Sequence, residues 1–275
     1  MKSKVYLGTV LLFLWAQCWS ANAHAERLSD YIPEDAEVRL GVGVLGSHFP
    51  DYPGSKHSSS LYLPFPFFTY KSEQLEVDGS EVVGRVFAGD NWEINMNFAG
   101  SIPTRSENNA RAGMDDLGWI GEAGPSLDFI LLENDSHELT LRIPVRAAIA
   151  ARGFDFSYLG LRFDPQVRNR MTLGDKLEWD TTIAATFSER RYHQFMYGVE
   201  FVDATTNRPE YQAQGGYSGL RVSTGLSMQL NDKWWIGGFV RYQALHGVVF
   251  EQSPLFERRN GVSVGLAVAR ILFEQ

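Results

Sequence analysis

The sequence predicts an all-β protein: a transmembrane, antiparallel, up-and-down β-barrel of about 10–12 strands in a single domain. Three observations carry this expectation. Polar and apolar residues alternate strictly over long stretches, as in NWEINMNF at 91–98. Those stretches are longer than the ~5–6 residues usual in soluble sheets and match the ~9–11 that a tilted strand needs to cross a bilayer. The chain also opens with the pattern of an export signal.

The opening residues come first. Lys2 and Lys4 form a short basic region, Val5–Trp19 is almost wholly apolar, and Ser20-Ala21-Asn22-Ala23-His24-Ala25 supplies small residues for cleavage. The expected signal peptide is 1–25, cut before Glu26, with a cut before His24 as the alternative; the mature barrel is 26–275. Cys18 is the only cysteine and would leave with the signal, so the mature chain has no disulfide. Its loss leaves 23 basic residues against 33 acidic ones, a net charge of −10. An acidic chain without Lys/Arg runs excludes nucleic acid as a partner.

The strands follow in order as 36–46, 58–70, 74–88, 91–101, 118–132, 136–152, 154–170, 174–188, 191–204, 217–230, 233–248 and 260–273. In 141–152 one face holds Leu141, Ile143, Val145, Ala147, Ile149 and Ala151, the other Arg142, Arg146 and Arg152. In 158–170, Leu159, Leu161, Phe163 and Val167 oppose Arg162, Asp164, Gln166, Arg168 and Arg170. In 177–187, Leu177, Trp179, Ile183 and Phe187 oppose Glu178, Asp180, Thr182 and Thr186. Period-two alternation puts each set on its own face. Tight turns are expected at 89–91, 133–136 and 231–232, and longer connections near 47–57, 102–117, 189–216 and 249–259. Strict alternation of ends conflicts with this list, so either an early hairpin is miscounted or 189–216 folds inward. The last strand needs a bulge, because its apolar face switches from Val262, Val264, Leu266 and Val268 to Ile271 and Phe273.

Three stretches resemble the MipA/OmpV family of outer-membrane proteins. They are GVGVLGSHFPDYPGS (41–55) with LPFPFFTY (63–70), YHQFMYGVEFVDATTNRPEYQAQGGY (192–217), and RYQALHGVVFEQSPLFERRNGVSVGLAVARILF (241–273). The resemblance implies outer-membrane residence, contact with lipid and with the barrel-insertion machinery, and, for one branch, the bringing together of murein synthases and lytic transglycosylases. The chain departs from the family at its end, where Glu274-Gln275 follow the last aromatic residue.

Chemistry is sparse. His48, Asp51 and His57 share a loop without an established ligand spacing. His193 beside Glu189, Arg190 and Arg191 reads as an interface charge belt as readily as a site. No catalytic, metal or cofactor residues are expected, and the protein is read as no enzyme. The expected lumen charges are Glu93, Arg142, Arg146, Arg162, Asp164, Arg168, Arg170, Glu178 and Asp180, paired into a filled interior. Partner binding then falls to the loops, with Tyr52, Tyr197, Tyr211 and Phe256 as aromatic anchors. A scaffold for murein enzymes is the first functional expectation, and a small pore or adhesin the alternative.

Overall fold

The computed structural model describes residues 33, 36–72, 75–78, 81–101, 103, 110–174 and 176–275, so the expected signal peptide lies outside the described residues. The strands are β1 (Glu37–Pro50), β2 (Ser58–Lys71), β3 (Leu75–Asp78), β4 (Glu81–Ala88), β5 (Trp92–Ser101), β6 (Trp119–Asn134) and β7 (His137–Arg152). After them come β8 (Asp155–Phe163), β9 (Gln166–Leu173), β10 (Leu177–Ser188), helix α1 (Arg190–Tyr197), β11 (Gly216–Asn231), β12 (Trp234–Ala244) and β13 (Asn260–Glu274). Neighbours pair antiparallel, and the ladder from β13 to β1 closes the sheet. Both β8 and β9 lie between β7 and β10 and form one crossing interrupted at Asp164-Pro165, which makes a closed barrel of twelve strands.

The two faces of NWEINMNF have opposite surroundings. Asn95 and Asn97 are 2% and 5% exposed and point into the lumen, whereas Met96 and Phe98 stand outside at 40% and 43%. The same division holds around the wall, where Val44, Leu161, Ile183, Leu226, Val240 and Leu266 are exposed. An outer surface of this composition requires a bilayer, because it would otherwise leave a continuous apolar band in water. Trp92 and Trp234 at the end that carries both chain termini, and Trp119 and Tyr242 towards the other, are exposed on that surface. Trp235 turns inward and packs on Phe67 with ring centroids 5.1 Å apart.

The strand list needs two corrections that cancel in number. The stretch 74–88 is a short hairpin of β3 and β4, with Asp78 opposite Glu81. The stretch 191–204 is α1 and a 3-10 turn at Phe201–Asp203. An early hairpin was therefore hidden, and 189–216 does fold inward. Among the described residues, β2 pairs with β3 only over Thr69–Lys71, so its Ser58–Phe68 portion has a ladder with β1 alone. Pro64 and Pro66 sit in that portion, where a missing N–H is tolerated because one edge is unpaired.

The register shifts in several of the described ladders, and two of these bulges bear on the expected faces. Between β7 and β8 the register slips at Ile149, and Gly160 takes φ +98°. Leu159 consequently points inward and is 3% exposed, not outward as its alternation suggests. A Cβ at Gly160 would lie 2.6 Å from the Glu189 carboxylate, so glycine is required there for space as well as for backbone. At the end of β13, Leu40 pairs with Phe273 and Gly41 with Ile271, leaving Leu272 as the extra residue. The expected bulge is present. Ile271, however, faces inward with Phe67 and Ala269.

Candidate functional site: a charged lumen beneath an apolar plug

Inward positions of β5–β11 place a layer of arginines and carboxylates across the middle of the barrel. Arg146 donates to Glu122 at 3.1 Å, to Asp164 at 3.0 Å and to the Asn97 side chain at 2.7 Å. Arg146 and Arg162 are directly opposite each other on β7 and β8. Like charges so placed repel, and Glu122 relieves this by pairing with both. Asp164 is 1% exposed and also accepts from Arg221 at 3.0 Å and from the Thr186 hydroxyl at 2.6 Å. Towards the end with the termini, Arg142 pairs with Asp128 at 3.2 Å, Arg168 with Asp180, and Arg170 with Glu76 at 3.0 Å.

All nine expected lumen charges face inward, but their partners differ in part. Asp164 and Asp180 do meet arginines. Glu93 instead pairs with Arg85 at 3.3 Å, and Glu178 accepts from the Ser227 hydroxyl at 3.3 Å. Glu76, Glu122, Asp128, Glu138 and Arg221 belong to the network and were not anticipated. The alternation of Glu122, Ser126 and Asp128 with outward residues of β6 was a usable signal for two of them.

Above this layer, at the end away from the termini, described residues of the four long connections pack over the lumen. Met196 and Tyr197 of α1 pack with Leu159, Ile120, Ala148 and Ala150 of the wall and with Tyr52, Leu245, Val248 and Phe250 of the loops. Tyr197 stacks on Phe250 with centroids 3.7 Å apart and an angle of 8°. Arg111, 3% exposed, donates to the Met196 carbonyl at 2.9 Å. An eight-residue helix has little stability of its own, so packing and these bonds hold α1 in place.

Two of the expected partner anchors are thereby corrected. Tyr52 and Tyr197 are 3% and 2% exposed; their hydroxyls donate to the Leu255 carbonyl at 2.7 Å and the Pro53 carbonyl at 2.8 Å. They hold loops to each other and present no ring to a partner. Burial raises the pKa of both phenols. Phe256 is half-buried against Phe250, and Tyr211, also half-buried, pairs its backbone with Val199. The strongly exposed rings and aliphatics on the described loops are Phe154, Phe201 and Val202.

His193 is fully buried, not part of a surface charge belt. Its Nδ1 lies 2.7 Å from the Gln214 carbonyl and its Nε2 2.8 Å from the Ser218 hydroxyl, whose oxygen is 3.1 Å from the Ser188 hydroxyl. Nδ1 must donate to the carbonyl; burial favours the neutral ring, in which Nε2 accepts the Ser218 proton and Ser188 donates to Ser218. Burial, helped by the nearby Arg162, lowers its pKa. The unfolded chain therefore takes up a proton below about pH 6.5 that the folded chain refuses, and stability falls as the pH drops through that range. The melting temperature of the wild type should fall between pH 7.5 and pH 5. His193→Gln should lose a measurable part of that slope, read by circular dichroism in detergent.

Open space lies at the end with the termini. A vestibule of about 550 Å³ is lined there by Arg39, Lys71, Glu76, Glu133, Glu138 and Glu178, among others. The arrangement is thus a barrel closed at one end, bridged by charges at its middle and open at the other.

Several solved barrels are similar in fold. The NanC porin has 8% identity and a TM-score of 0.42, with 83% of this chain and 98% of that one covered. The translocator domain of autotransporter NalP from Neisseria meningitidis has 12% identity and a TM-score of 0.40, covering 98% and 99%. Outer membrane phospholipase A from Escherichia coli has 9% identity and a TM-score of 0.33, covering 84% and 92%. No curated protein matches the chain. The family model for MipA, described as MltA-interacting protein MipA, matches residues 41–272, and the chain belongs to that family.

Proposed function

We propose that this protein is exported by a cleaved signal peptide to the outer membrane. There it works as a scaffold that holds murein-processing enzymes at the inner surface of the membrane, without catalysis of its own. The family's name supplies the class of partner, an MltA-type enzyme. The observation that carries the reading is the engaged interior. Most of the charges a conducting pore would offer to ions are bonded to each other, and the far end of the lumen is packed with apolar side chains.

The docking end follows from topology. Outer-membrane barrels keep short turns on the periplasmic side and long loops outside. Short connections at 89–91, 135–136 and 232–233 lie at the end that carries Glu37 and Glu274, and the long ones at the other, together with the single tight turn at 153–154. A murein enzyme would meet that end, where the vestibule opens, and not the loops 47–57, 189–216 and 249–259. This moves the expected contact surface to the other side of the membrane.

The test is capture of a purified lytic transglycosylase of the MltA class by the detergent-solubilised barrel. Glu133→Lys combined with Asp135→Lys should weaken capture, whereas Phe201→Ser on the outer loops should leave it unchanged. Capture that depends on Phe201 and ignores 133–135 would refute the docking end. No capture at all would refute the scaffold.

A further inference from the structure

We propose that the lumen wall carries a binding site for a small oxyanion, carboxylate or phosphate, centred on Arg241. The site is separate from any protein docking, and its reasoning is independent of the scaffold reading.

The other inward arginines of the central layer are answered by carboxylates: Arg146 and Arg162 by Glu122, and Arg146 and Arg221 by Asp164. Arg241 is not. Among the described residues it makes no ion pair, and its recorded neighbour is the Phe239 ring, 5.7 Å from the guanidinium carbon. The charged groups nearest to it are Arg221 and Asp164, and the second is already shared between Arg146 and Arg221. Four arginines thus face two carboxylates in this layer. The local excess of positive charge is what an anion would neutralise.

The wall around Arg241 has the composition of a recess. Register puts Ser223 of β11 and Ser263 of β13 directly beside it, with Thr182 of β10 next in the same row. Directly opposed residues share a face with Cβ atoms about 5 Å apart, so the two serines flank the Arg241 stem on the lumen side. The row below reads Gly225, Phe239 and Gly265, and the row above Arg221, Gln243 and Gly261. Gly265 gives its space to the Phe239 ring, the two flanking serines are small, and Arg241 is exposed to the lumen although it sits inside the wall. Phe239 supports one face of the planar group and leaves its N–H edge free.

The chemistry that fits is a planar or tetrahedral oxyanion. Guanidinium binds such groups through two parallel N–H···O bonds, and the flanking hydroxyls can donate to the remaining oxygens. The Arg221 guanidinium adds charge from the neighbouring strand. A ligand would arrive through the open vestibule.

The experiment is calorimetric titration of the full mature barrel in neutral detergent with sodium phosphate and, separately, sodium acetate, at constant ionic strength. Saturable binding is expected with at least one of them, about ten-fold weaker in Arg241→Gln, as loss of one charge-assisted pair implies. Arg241→Lys should retain part of the affinity, and Ser223→Ala with Ser263→Ala should reduce it. Arg259→Gln, which removes a loop charge paired with Glu251, serves as the control and should bind like the wild type. Removing an unanswered charge should leave folding intact, checked by the mobility difference between heated and unheated samples. Absence of saturable binding of either anion by the wild type, or equal affinity in Arg241→Gln, would overturn the proposal.

Discussion

Arg146→Met should lower the unfolding free energy by about 3 kcal/mol, the lower part of the ~3–5 found when one partner of a buried ion network is removed. Arg146 is 5% exposed and holds Glu122, Asp164 and Asn97 at once. Its loss leaves two buried carboxylates short of a donor. The cost stays at the lower end because Arg162 still pairs with Glu122, and Arg221 and Thr186 with Asp164. A reduced urea midpoint with unchanged steepness would bear this out. A change under about 1 kcal/mol would mean that the network is solvated and not structural.

Val240→Arg should destabilise the barrel by about 2–4 kcal/mol, the cost of a charge on the lipid face near mid-bilayer. Val240 lies at the centre of β12, is exposed on the outer surface and pairs with Thr224 and Val264. Ser227→Arg, at an inward position on β11 that lines the open vestibule, should cost far less because the new charge stays in water. Glu178 is within reach of that position as a partner. Refolding into vesicles at a series of urea concentrations reads both variants. Equal effects would contradict the assignment of inside and outside.

The faces were legible because a strand's side-chain period of two is rigid: Phe163, Val167 and Ile183 could be placed from alternation alone. The bulge at Gly160 was not legible, since one extra residue reverses every face beyond it and left Leu159 on the wrong side. The β3–β4 hairpin had a signal in Gly79-Ser80, a Gly-X pair of the kind favoured in two-residue turns. For α1, the buried His193, Met196 and Tyr197 fall at helical spacing, i, i+3 and i+4. A strand reading of 191–204 overlooked that pattern. The charges were legible as inward but not as pairs. Which carboxylate meets which arginine depends on register and on the stagger of closure, and the bridge from Arg170 to Glu76 joins residues far apart in the chain. Tyr52 and Tyr197 were misplaced for the opposite reason: loop aromatics suggest exposed anchors, whereas four loops packing together bury them.

The most direct test of the closed, internally bonded lumen is recording of the purified wild-type barrel in planar bilayers. The paired charges and the plug built on Tyr197 and Phe250 predict no steady ion-selective conductance at neutral pH. Steady anion-selective current through the wild type, abolished by Arg168→Ala, would contradict the account and make the lumen the working route.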